Sequence, residues 1–133
     1  MSIPDTILGM VRDALPDDVS VYDGQVPEPP PRRYVVVYAD HGTRSAAERV
    51  DDQSTSVTYR WQVTSVAPDR GMAHWLAERV ADVLTDARPE VEGWVTGEIA
   101  HTYSQLAASD DQVLERRVVT AVDQYLLLAE RIV

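Results

Sequence analysis

The sequence predicts an α+β domain of two layers, a mixed or antiparallel β-sheet of about four to five strands packed against two amphipathic helices. Three observations carry that prediction. Segments 3–15 and 72–87 repeat apolar residues at helical spacing. The run VTYRWQV at 57–63 alternates apolar and polar residues without a break, the pattern of a half-buried strand. YVVVYA at 34–39 is apolar at every position, as a strand covered on both faces requires. With 133 residues, 44% hydrophobic and 26% charged, the chain is long enough for one core and is composed like a globular protein.

In IPDTILGMVRDAL the apolar residues Ile7, Leu8, Val11 and Leu15 share one helical face. Ser2 is a suitable N-cap, Pro4 fits the first turn, and Pro16 followed by two aspartates stops the helix. Val19–Tyr22 is a brief strand closed by the turn signal Asp23-Gly24. Pro27 and Pro29 to Pro31 then make a stiff, extended spacer that lacks ladder donors. Residues 41–56 are polar and aperiodic, and read as a long mobile loop.

In the strand at 57–63, Val57, Tyr59, Trp61 and Val63 face the core; the other face meets water or a neighbouring subunit. Asp69 is placed to cap a helix whose stripe is Met72, Leu76, Val80, Val83 and Leu84, closed by Arg88-Pro89. Residues 92–105 favour strand but are interrupted by Gly97, so a bent or bulged strand is expected. The tail at 117–128 is ambiguous. Val118, Val122, Leu126 and Ala129 suit a helix face, yet Val118, Val119, Thr120 and Val122 are β-branched and suit a strand. There is no internal repeat and no second domain, so residues 1–133 read as one unit.

The net charge is −10 and every basic side chain is arginine. Acidic excess disfavours a protein that grips nucleic-acid phosphates. Absence of cysteine excludes disulfides and thiolate chemistry. No signal peptide and no apolar run of spanning length is present, so a soluble protein made in a cytoplasm is expected, with no membrane partner. His41, His74 and His101 lack metal-ligand spacing and read as unrelated surface or rim residues. No serine sits in a nucleophile elbow, and no glycine-rich phosphate loop occurs. The pairs Asp17/Asp18, Asp51/Asp52 and Asp110/Asp111 fall in expected loops, where solvation explains them better than acid–base work. Trp61, Trp75 and Trp94 read as core or interface anchors. Nothing calls for a catalytic residue, a cofactor or a metal.

Four features in order, the N-terminal amphipathic helix, VYDGQVPEPPPRRYVVVYAD, VTYRWQVTSVAPDRGMAHWLAERVADVLT and the closing AVDQYLLLAE, resemble the tail terminator proteins of long-tailed, siphovirus-like phages. These are also called minor tail or tail completion proteins, and the chain looks closest to versions from phages of actinobacteria. The resemblance implies an α+β fold in which the closing segment is a strand, and no enzymatic activity. It implies a homo-hexameric ring on the last tail-tube ring that stops tube polymerisation and joins the neck. The partners implied are further copies of the chain, the major tail tube protein and a neck or head-completion protein. The resemblance further implies that DNA passes through the ring without sequence-specific binding, and that the protein resides at the head-proximal end of the virion tail after assembly in the host cytoplasm. Candidate residues for subunit or tube contacts are Arg32, Arg33, Arg44, Glu48, Arg49, Asp51, Asp52, Arg60, Arg116 and Arg117; arginine's planar fork suits carboxylates on a neighbour. The rival readings are a neck or head-completion ring protein, a small ligand-binding domain or enzyme, and, against its charge, a DNA-binding module.

Overall fold

A computed structural model of the chain describes residues 2–40, 42–44, 56–111 and 116–132. Helix α1 (Ile3–Ala14) begins where expected: the Ser2 hydroxyl accepts from the Asp5 N–H at 3.2 Å, and the buried stripe is Ile3, Ile7, Val11 and Ala14. Strand β1 (Ser20–Asp23) follows, then β2 (Tyr34–Ala39). These two run parallel, so the proline-bearing segment 24–33 is a crossover, returning the chain from the end of β1 to the start of β2. Gly24, at φ 75°, makes the first turn of that crossover and donates to the Val37 carbonyl.

The two-residue β3 (Thr43–Arg44) pairs with the start of β4 (Ser56–Ala67). Those ends of the 41–56 segment are therefore strand rather than loop; His41 and residues 45–55 lie outside the described residues. Asp69 caps α2 (Arg70–Leu84), its carboxylate accepting from the Met72 N–H at 2.8 Å. The helix ends short of Arg88-Pro89. Thr85 is already extended and Asp86 is left-handed at φ 63°, which turns the chain as soon as Leu84, the last buried residue of the stripe, is placed. Val83, expected in that stripe, is 39% exposed, and Ala73 takes its place.

The expected bent strand at 92–105 is two strands, β5 (Trp94–Thr96) and β6 (Ala100–Asp111). Gly97 separates them, its N–H donating to the Leu128 carbonyl, and the register shift falls between His101 and Tyr103. Asp110 and Asp111 accordingly close a strand instead of lying in a loop. Strand β7 (Arg116–Arg131) resolves the ambiguous tail. From Val119 to Ala129 every odd-numbered residue is buried and every even-numbered one is half-buried or exposed. Val118, Val122 and Leu126 are spaced by four, a separation that fits both periods, which is why the sequence alone left the choice open.

The strands form one seven-stranded mixed sheet in the order β1-β2-β4-β7, with β3 sharing the β2 side of β4, and β5 and β6 sharing the far side of β7. Without the two-residue β3 and three-residue β5, the count matches the sequence expectation. Both helices lie against one face. Leu76, Val80 and Leu84 of α2 and Ile3, Ile7 and Val11 of α1 meet Val35, Val37, Trp61, Val63, Val119 and Leu127 of the sheet in one cluster. Each large apolar side chain buried there contributes on the order of 2 kcal/mol.

Candidate assembly surfaces

The helix-free face of the sheet has an unusual composition. On β4 the outward residues are Ser56, Thr58, Arg60, Gln62, Thr64 and Val66, and on β7 they are Val118 through Glu130 at even numbers. Only Arg60 and Glu130 among these carry charge, in a chain that is one-quarter charged. Tyr38, Tyr103 and Leu128 stand 45%, 45% and 58% exposed on the same face. Aromatic enrichment with depleted charge is the compositional mark of an interface centre. The sheet curls around a groove of about 550 Å³ lined by Tyr38, Arg60, Gln62, Thr102, Gln124 and Leu126. Asp40 fixes its rim, one carboxylate oxygen accepting from the backbone N–H groups of Gly42 and Arg60. Arg60 makes no ion pair among the described residues.

A second surface lies on the opposite layer. The outer stripe of α2 exposes Trp75 at 39%, with the Arg79 guanidinium 5.5 Å from the ring centroid. Glu78, Asp82 and Val83 continue the stripe, and His74 lies 3.6 Å from Glu78. The tryptophans thus divide: Trp61 is buried, Trp94 is half-buried beneath Arg131, and Trp75 is an exposed anchor.

Between these surfaces, on the helix-covered side, sits a polar knot that sequence spacing did not reveal. His101 Nε2 is 2.8 Å from Asp123 Oδ1, and Asp123 is only 3% exposed. The His101 ring stacks on Tyr125 at 4.7 Å, and Tyr125 stacks on Trp61 at 5.9 Å. The second Asp123 oxygen, the Tyr125 and Ser65 hydroxyls and the Trp61 N–H are buried without a hydrogen-bond partner among the described residues. Burial first, and the Asp123 carboxylate second, push the Tyr125 phenol above its ordinary range. His101 is therefore a positioned rim residue with a buried partner, and not an isolated one as its spacing suggested. One ring nitrogen is held by Asp123 and one ring face by Tyr125, an arrangement that braces β6 against β7.

Among the described residues, the charged residues picked from sequence are spread over both ends of the sheet. Arg33 is engaged within the chain, forming an ion pair with Asp18 and approaching the Met72 sulfur at 3.7 Å, which pins the start of β2. Arg32 beside it and Arg117 are exposed. Strand register puts the 32–33 and 116–117 pairs at the same end of the sheet, with β4 between β2 and β7 and roughly 10 Å from one to the other. Arg116 and Arg117 stand opposite Asp111 and Asp110 in the β6–β7 ladder. Arg60 lies toward the other end, and Arg44 pairs opposite Val57 in β3. Glu48, Arg49, Asp51 and Asp52 lie outside the described residues. Among the described residues no helix is long and apolar enough to cross a membrane, and no group of three or more histidine or carboxylate side chains is placed to hold a metal ion.

Neither family sequence models nor curated proteins match this chain. Among solved structures it is similar to a chain from the virion of a native gene transfer agent particle, at 14% identity and a TM-score of 0.62. The likeness covers 96% of this chain and 98% of that one, so the two share a fold from end to end.

Proposed function

We propose that this protein is a structural component of a phage-like virion and, within it, the tail terminator. In this reading it forms a hexameric ring on the last ring of the tail tube, stops polymerisation of the major tail tube protein and presents the surface that a neck or head-completion protein joins. The observation that carries the reading is the end-to-end fold likeness to a chain of a gene transfer agent virion. The charge-depleted sheet face and the exposed Trp75 support a chain built to be covered by other subunits. The net charge of −10 supports a ring that DNA passes without sticking. The role asks for placement and no catalysis, so the ring itself is the functional unit.

The test is mass in solution by light scattering across concentration, with negative-stain images, followed by addition of purified tail tubes. Hexameric rings that cap tube ends and arrest their growth are the expected result. A chain that leaves tubes growing but binds the portal side belongs in the neck instead. A chain that stays monomeric with and without tubes overturns the ring altogether.

A further inference from the structure

We infer that adjacent copies of this chain join head to tail, the outer stripe of α2 on one copy seating in the groove on the helix-free sheet face of the next. This rests on the reading of the protein as a ring subunit and names the two surfaces that would build the ring.

Four observations point to a second copy as the occupant. The first is size. The fifteen-residue α2 is roughly 22 Å long, and the open run of β4 from Thr58 to Thr64 spans roughly 20 Å. The second is precedent within the fold: the inner stripe of α2 already packs on the covered face of β4 and β7, and the groove is formed by the other face of those same strands. The third is the anchor. Trp75 under Arg79 is a half-exposed aromatic–arginine unit, the residue types that carry most interface energy, and the groove offers Tyr38, Leu126 and two glutamines to receive it.

The fourth observation fixes the polarity of the contact. At the groove the sheet side carries Arg60, with Glu130 at the far end of β7, while the helix side carries Glu78 and Asp82 one turn apart and Arg79 engaged with Trp75. A sheet-to-sheet contact would bring Arg60 toward its own copy, and a helix-to-helix contact would do the same to the two acids. The helix-to-sheet arrangement sets Arg60 against Glu78 and Asp82, while Arg79 stays over the Trp75 ring. Because the two surfaces lie on opposite layers of the domain, the contact is heterologous, the class of contact that builds rings when its rotation closes.

The lack of cysteine makes a direct test available. Gln124→Cys marks the groove and Asp82→Cys marks the α2 stripe; both positions are exposed, and neither side chain holds a described contact. The sheet stands between them, so a short bis-maleimide reagent cannot bridge them within one chain. The double variant is expected to give a ladder of cross-linked species, and each single variant to remain monomeric. Arg60→Glu in the double-cysteine background is expected to abolish the ladder. A dimer from either single variant, or no ladder from the double variant at the highest soluble concentration, overturns the head-to-tail contact. If rings are seen by negative stain while the double variant stays unlinked, this contact falls and the ring reading stands. If rings and ladder are both absent, both fall.

Discussion

The two faces of the sheet are built from the same strands and differ in almost every other respect. The covered face buries Val63, Trp61, Val119 and Leu127 beneath two helices and tolerates one polar knot at its edge. The open face carries hydroxyls, amides and tyrosines and leaves Leu128 and Tyr38 about half exposed. Strand alternation delivers both faces from one sequence, so each residue of β4 and β7 is committed either to stability or to contact with something outside the domain. The lesson is a division of labour at single-residue resolution, and substitutions can test where it is sharp.

The largest effect is expected at the centre of the covered face. Leu76→Ala removes a fully buried side chain and is expected to cost about 3 kcal/mol of stability in urea unfolding. Leu128→Ala, three strand positions beyond the core-facing Tyr125 and on the open side, is expected to change stability by less than about 0.5 kcal/mol. Equal losses at the two sites would erase the distinction between the faces.

Next is the knot at the edge. His101→Ala leaves the Asp123 carboxylate buried beside an unpartnered hydroxyl, and a loss of roughly 2 kcal/mol is expected. Unchanged unfolding would mean that Asp123 reaches water despite its burial. Below that come the caps: Asp69→Ala unties the start of α2 and is expected to lower the unfolding free energy by about 1 kcal/mol.

The smallest effect at neutral pH is expected from Tyr125→Phe, about zero, because the hydroxyl it removes has no described partner. Its signature lies in alkali. The folded protein holds the Tyr125 proton more tightly than the unfolded chain, whose tyrosines titrate near 10. This contribution is therefore complete below pH 10 and is lost as pH rises above it. Denaturant unfolding of both proteins from pH 8 upward is expected to show the variant losing less stability than the wild type; parallel curves would remove Asp123 and burial as the cause.

Much of the covered face was legible in the sequence because its signals are local. Ser2 and Asp69 announced their helices, and Val57, Tyr59, Trp61 and Val63 announced theirs as a core-facing strand edge-on to polar partners. Period alone could not assign β7, since residues spaced by four satisfy both helix and strand, and its pairing with β4 is needed to decide it. The surfaces were less legible. His101 and Asp123 are twenty-two residues apart and meet only through the β6–β7 register. Selecting charged residues as interface candidates reached the open face only at Arg60, because the distinguishing property of that face is how few charges it has. Arg33 shows the opposite error, a charge that looked available and is spent on Asp18.

Strand β7 has a consequence for how the protein comes into being. It is the partner of β4, β5 and β6 alike, and it is made after all of them. A growing chain that has emerged only as far as β6 possesses both helices and most of its strands, but β5 and β6 have nothing to pair with and β4 has one side bare. Long-range pairing of this kind is slow to nucleate. Consolidation of the β5–β6 side of the sheet therefore waits on translation of residues 116–131, and a nascent chain stalled before them is expected to show no hydrogen-exchange protection in β5 and β6. The open face, whose outward pattern is completed by β7 itself, comes into existence at that same late moment. Subunits still on the ribosome thus lack the surface by which finished ones are proposed to meet.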